Sequence, residues 1–347
     1  MKKNLILMGA AIAALSSCTQ SEVLDVPESK AIRFSSFVDK PTRTVTEVTN
    51  LTNFYVFGNF GTASPYDGVA YNNESNTQTY YWAAKDNIYK FGAYANGENG
   101  KLDNVTFAPG EGDETAMGTL TFSNYQPQLE ANKGKDLVAA VANHKVTGSE
   151  DTNTKVDLTF KHLLSQVKFT FKTTDADTYT LKIHDIKIDN NAISKANCTF
   201  DGTNIAWATE GAEKNGYTYD EIADIAVATA LDGENAPYQG SSVEMVIPQS
   251  DTNNIKVTFS ATVSGGGFAE PKTGNFEANL DYAKGDVAET TDNTWTPGYR
   301  YNYIATINAD QIDPTLETKK INFDVTVDTW KDADETDRGE LNKQPGA

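Results

Sequence analysis

The chain is poor in the side chains that carry most metal and nucleophilic chemistry, with two cysteines and three histidines in 347 residues. Two thiols exclude a disulfide scaffold, and His144, His162 and His184 never fall at a two-histidine metal spacing. Basic residues are short as well: 29 Lys and Arg stand against 48 Asp and Glu, a formal net charge of −19. That balance argues against nucleic acid, whose binding relies on cations that displace counterions. The apolar run at residues 5–15 is eleven residues long, too short to span a bilayer. No Gly-x-Ser-x-Gly elbow precedes a histidine, and Gly265-Gly266-Gly267 lacks the following lysine of a phosphate loop, so it reads as a hairpin turn. In the acidic stretch 332–340 the glycine comes too late for a calcium loop, which leaves a solvated tail. The many carboxylates have no framing motif that would single out a glycosidase pair. These absences predict no enzyme, no cofactor and no metal.

What is present begins at the N-terminus. Lys2 and Lys3 precede the apolar run, which ends in Leu15-Ser16-Ser17-Cys18. This is the layout of a secretion signal closed by a lipobox, in which the Cys18 thiol takes the lipid. Several acyl chains hold a membrane far better than the marginal single one. Acylation would leave Cys198 as the sole thiol, in a strand-like context that favours a buried, inert state.

From residue 30 onward, short β-prone runs alternate with clusters of Gly, Asn, Asp and Thr. Strands are predicted over residues 51–58, 80–82, 88–95, 136–142, 167–172, 181–188 (with one slip in the alternation), 255–259 and 321–328. The unbroken apolar run 136–142 fits a strand covered on both faces. Helical periodicity is confined to residues 220–228 and the neighbourhood of Leu163-Leu164-Ser165. Strands without intervening helices predict antiparallel sandwiches, and the length fits about two domains with a boundary in the polar cluster 173–178. Tyr66, Tyr71, Tyr80, Tyr81, Trp82, Tyr89 and Tyr94 form either core or a sugar-binding platform, and core is the simpler reading.

Four stretches then stand in a telling order. The lipobox Cys18 leads to Ala31-Ile32-Arg33-Phe34-Ser35, then Pro41-Thr42-Arg43-Thr44 and the strand at 51–58. Phe160-Lys161-His162 follows within the segment 158–169. Late in the chain come Trp295-Thr296-Pro297-Gly298-Tyr299-Arg300-Tyr301-Asn302-Tyr303 and Val325-Thr326-Val327-Asp328-Thr329-Trp330. Together these resemble the fimbrillin family, lipoprotein-derived surface pilins of Bacteroidales.

The resemblance implies an all-β chain of two tandem transthyretin-like antiparallel β-sandwich domains behind a lipoprotein signal peptide. Residues 1–17 would be the signal, 18–43 a leash with a removable first strand, 44–174 the first sandwich, and 175–347 the second with its acidic tail. It further implies acylation (palmitate) at Cys18, display on the outer membrane, and a cut between Arg43 and Thr44 by a trypsin-like surface protease. Arg33 is the rival site, expected to be shielded inside a strand. Cutting would free Ile32, Phe34 and Val38, and a neighbouring subunit's strand would fill the groove. Ile321, Phe323, Val325 and Val327 are the candidate donor strand. If they belong instead to their own sheet, the subunit is a tip or accessory one. Partners would be other fimbrial subunits and host or bacterial surface ligands. His162 would be a packing and hydrogen-bonding residue, and Pro297-Gly298 a turn that sets Tyr299, Tyr301 and Tyr303 on one strand face. The alternative is a glycan-binding lipoprotein of a polysaccharide-uptake system.

Overall fold

The structure, a computed structural model, describes residues 31–38, 51–60, 63–72, 80–82, 88–97, 100–147, 154–174, 176–222, 224–225, 238–284, 287, 289–312 and 318–329. The expected signal peptide, Cys18, Arg43, Thr44 and the acidic tail lie outside these residues.

The described residues form twenty strands. They are β1 (Phe34–Val38), β2 (Asn53–Phe60), β3 (Ala63–Asn72), β4 (Ile88–Asn96), β5 (Val105–Ala108), β6 (Thr119–Tyr125) and β7 (Leu137–Lys145). Next come β8 (Val156–His162), β9 (Ser165–Lys172), β10 (Tyr179–Ile188), β11 (Ala196–Phe200), β12 (Ile205–Trp207) and β13 (Tyr217–Thr218). The last are β14 (Tyr238–Gly240), β15 (Glu244–Val246), β16 (Lys256–Gly265), β17 (Lys272–Asn279), β18 (Tyr299–Thr306), β19 (Lys319–Lys320) and β20 (Asp324–Thr329). Among the described residues the only helical elements are two single 3-10 turns.

The strands form four sheets, in the orders β1-β8-β7-β4-β2-β3, β12-β11-β6-β5, β13-β10-β16-β17-β19 and β14-β9-β18-β20, with β15 also on β9. Three apolar cores follow from their faces. β7 sends Val138, Ala140 and Ala142 to a core on one side and Leu137 and Ala139 to another, where Leu120, Phe122, Cys198 and Phe200 meet them. This double burial explains why residues 136–142 lack alternation. The third core joins Phe169, Phe171, Tyr301 and Tyr303 to Ile183, Val257, Phe259 and Phe276.

Local chemistry sets the boundaries. Gly265, Gly266 and Gly267 all have positive φ (85°, 61° and 87°) and make the expected turn between β16 and β17. The slip in the alternation of β10 is a bulge between His184 and Lys187, with Asp185 at φ 56°.

The structure corrects three expectations. Leu163 and Leu164 form no helical turn. They are a fully buried link between β8 and β9, because Leu163 N donates to Leu137 O (2.9 Å) and Leu164 O accepts from Gly298 N (2.8 Å). Nor is there a helix near 220–225, since Ile222 N and Ile225 N donate sideways to Ile183 O and Leu181 O (3.0 and 2.7 Å). The sheets are not wholly antiparallel either: β1 with β8, β9 with β18 and β17 with β19 are parallel. Pairing also crosses position 174 in both directions, as β9 joins β18 and β11 joins β6.

Candidate functional site

The strand β1 carries its groove-facing residues at every second position, as a strand buried on one face must. Ile32 and Phe34 are each 2% exposed, Ser36 is buried, and Val38 packs half-buried against the same core. On one edge β1 runs parallel to β8, with Phe34 opposite Val156 and Val38 opposite Phe160. On the other, Ile32 N donates to Tyr80 O (2.7 Å), and Ala31 bridges Tyr81. The segment is thus held from both sides.

Phe34 is the centre of the groove. Its ring lies 5.0–6.3 Å from the rings of Phe54, Tyr66, Tyr71 and Phe91, each nearly edge-on, the arrangement that aromatic quadrupoles favour. Phe34 N also donates to the Tyr71 hydroxyl (3.3 Å). Burying Ile32 and Phe34 contributes about 1.5–3 kcal/mol apiece. Two hydroxyls fix the strand's position along the groove: Ser36 Oγ donates to Leu51 O (2.7 Å), and Ser35 Oγ donates to the Asp157 carboxylate. Burial and the nearby phenols push the Tyr66 hydroxyl far above the usual tyrosine range, so this phenol stays uncharged at any ordinary pH.

Arg33 does not sit as expected. It precedes β1 and is exposed, although its backbone carbonyl accepts from Val156 N (2.8 Å). Its neighbours Ile32 and Phe34 point inward, which by alternation leaves the arginine outside.

The candidate donor residues lie at the other end of the chain. β20 is the end strand of its sheet and pairs antiparallel with β18, Val327 opposite Tyr301 and Val325 opposite Tyr303. Ile321 and Phe323 both fall before the strand, in the stretch linking β19 to β20. Ile321, Phe323, Val325 and Val327 are all half-buried against the third core, whereas the residues between them are exposed. Phe323 rests on Phe169 and Tyr303, with ring centroids 5.7 and 5.9 Å apart. In its own subunit this segment is therefore an edge strand docked on a finished core.

Other singled-out residues are structural. His162 Nδ1 meets Asp136 Oδ2 at 2.7 Å in a largely buried pair, the expected packing role. Gly298 (φ 80°) turns the chain into β18, where Tyr299, Tyr301 and Tyr303 are buried at alternate positions. Trp295 Nε1 donates to the Tyr303 hydroxyl (3.0 Å), and Thr296 N donates to the Tyr301 hydroxyl (2.8 Å). Burial pushes the Tyr301 phenol up to about 12. Cys198 is buried in β11, and burial pushes its thiol up to about 12. Tyr66, Tyr71, Trp82, Tyr89 and Tyr94 are core, but Tyr81 is 40% exposed. Among the described residues no group of three or more His, Cys, Asp or Glu side chains gathers to hold a metal. Sequence reasoning missed Ser36 and Asp157: a serine among apolar neighbours and an acid on an exposed face give no sign of meeting β1.

Two crystal structures of candidate cell adhesion proteins, from Bacteroides uniformis and Bacteroides eggerthii, are each 16% identical to this chain and cover 87% of it. They match over 99% and 96% of their own lengths, with TM-scores of 0.43 and 0.46. The fimbrial anchor protein Mfa2 from Porphyromonas gingivalis is 10% identical, with 79% of this chain and 90% of its own covered at a TM-score of 0.34. No curated relative matches the sequence. Residues 41–330, most of the chain, match the Fimbrillin-like family. The protein belongs to that family.

Proposed function

We propose that this chain is a structural fimbrial subunit of the cell surface, exported as a lipoprotein on Cys18 and cut between Arg43 and Thr44 by a trypsin-like protease. Two transthyretin-like sandwiches, 44–174 and 175–347, form its body, with strands contributed across their boundary. The cut separates β1 from the body, and a strand of a neighbouring subunit replaces it. Adhesion to host or bacterial surface ligands follows from display on the assembled fibre at the outer membrane.

One observation carries this reading: Phe34 and Ile32 plug an aromatic groove with a strand whose covalent tether, residues 39–50, contains Arg43. Before cutting, the tether keeps β1 at an effective concentration in about the millimolar range, which no dissolved strand can match. Afterwards β1 is an ordinary ligand and exchange is open. The glycan-binding alternative loses its platform, because most of the aromatics that would supply it are core.

The first step is tested by mass spectrometry of the subunit in assembled fibres. The expected N-terminus is Thr44, and an intact chain starting at lipidated Cys18 would overturn the processing step.

A further inference from the structure

One face of the sheet β13-β10-β16-β17-β19 packs on the third core, and the other is polar. On the polar face the ladder sets Lys182 of β10 beside Thr262 of β16 and Thr273 of β17, and His184 beside Ser260 and Asn275. Strict alternation would turn Asp185, next to His184, into the core. The bulge after His184, with Asp185 at φ 56°, keeps this carboxylate outside and sends Ile186 inward instead. A line of contacts results. Asp185 Oδ2 lies 2.7 Å from His184 Nδ1, His184 Nε2 lies 3.0 Å from Thr262 Oγ1, and Thr262 Oγ1 lies 2.7 Å from Thr273 Oγ1.

These partners fix the protons. In the neutral ring, a carboxylate at Nδ1 holds the proton there and leaves Nε2 as the acceptor. Thr262 therefore donates to His184, and the Thr273 hydroxyl donates to Thr262. Ser260 Oγ donates to Asn275 Oδ1 (3.0 Å), so of these two β16 hydroxyls it is Thr262 that hands its proton to a base. A hydroxyl, a base within hydrogen-bond reach and a third group that orients the base are the parts of an activated nucleophile. The sequence hides them, because His184 and Thr262 stand 78 positions apart.

We propose that Thr262 is an acyl acceptor, made nucleophilic by His184, and that its donor is a short-chain carboxylic ester. Thr262 Oγ1 attacks the acyl carbon while its proton passes to His184 Nε2. The bond from that carbon to the alcohol oxygen then breaks, and His184 returns the proton to the departing alcohol. An ester on Thr262 remains. Lys182, straight across the ladder and ion-paired with Glu221, places a cation on the face where negative charge grows on the acyl oxygen. Asp185 is a positioning residue, and the His184 side chain is 27% exposed, so the base is open to a substrate. Lys182, Ser260, Thr273 and Asn275 line the face, polar side chains that suit a short acyl group and not a long apolar one. None of these residues touches β1, so the site is independent of strand exchange.

The experiment incubates the full chain with p-nitrophenyl acetate and maps acetyl groups by peptide mass spectrometry. The expected product is an acetyl ester on Thr262, with p-nitrophenol released. His184→Ala should slow its formation by about 10²-fold, as loss of a general base does. Asp185→Asn tolerates the same positive φ but lacks the carboxylate, so it should slow the reaction at an unchanged melting temperature. Thr262→Ser should still be acetylated at that position, and Thr262→Val should not. p-Nitrophenyl octanoate should react more slowly than the acetate. Acetyl groups confined to lysines, or Thr262 acetylated equally fast in His184→Ala, overturn the proposal. An unchanged rate in Asp185→Asn overturns the role of Asp185, and equal rates with octanoate overturn the short-chain assignment.

Discussion

Phe34 touches four aromatic rings at once, so its truncation leaves a cavity that its rigid neighbours cannot close. Phe34→Ala is expected to destabilise the uncut chain by about 3–5 kcal/mol in urea unfolding. Under the proposed processing, which removes β1, the same substitution should leave the stability of assembled, cut protein unchanged. Cys198 behaves as a small hydrophobe. With its thiol pushed up to about 12, it should resist alkylation in the folded Cys18→Ser chain and react only on denaturation. Glu244 gives the pH signature. Burial raises its carboxyl above the usual glutamate range, outweighing the donation from Ser242 Oγ at 3.0 Å. A raised folded value favours the protonated form, so this contribution is full below the unfolded glutamate range and is lost as pH rises through the folded value. Glu244→Gln, which keeps an acceptor for Ser242, should melt higher than the parent at neutral pH. The gap should close on acidification.

At the scale of elements, β18 depends on its turn. Gly298 holds φ at 80°, a region that costs an L-residue about 1–2 kcal/mol. Gly298→Ala is therefore expected to lower stability by that amount in thermal melts, with Tyr301 and Tyr303 still buried. Where alternation is driven by one buried face, the sequence was a sound guide. The slip in residues 181–188 marked the bulge at Asp185, whereas Ile32, Phe34 and Val38 were singled out by the family resemblance and pack on one core. It failed where pairing is settled by partners far along the chain. Nothing local in Ser165–Lys172 says that β9 lies parallel to β18, more than a hundred residues away. Residues 220–225 have helical spacing, yet Ile222 and Ile225 spend their backbone donors on β10. Ile321 and Phe323 alternate perfectly with Val325 and Val327 but stand outside β20, since alternation reports a buried face and not a hydrogen-bonded ladder. In the groove the apolar residues were legible from sequence, whereas the polar contacts of Ser35 and Ser36 needed the fold.

At the scale of the whole molecule, acidity and incompleteness pull against each other. A formal charge of −19 keeps separate copies apart in solution, and this repulsion weakens with salt. Assembly of the cut chain should therefore accelerate as ionic strength rises, which light scattering can follow. The central claim is that the seat of β1 is refilled by another copy. Sedimentation of the full chain before and after cutting at Arg43 tests it most directly. The expected result is single copies before the cut and a growing series of multiples after it, with the fragment that carries Ile32 and Phe34 released. Cut chains that remain single after losing that fragment, or uncut chains that assemble equally well, would contradict it.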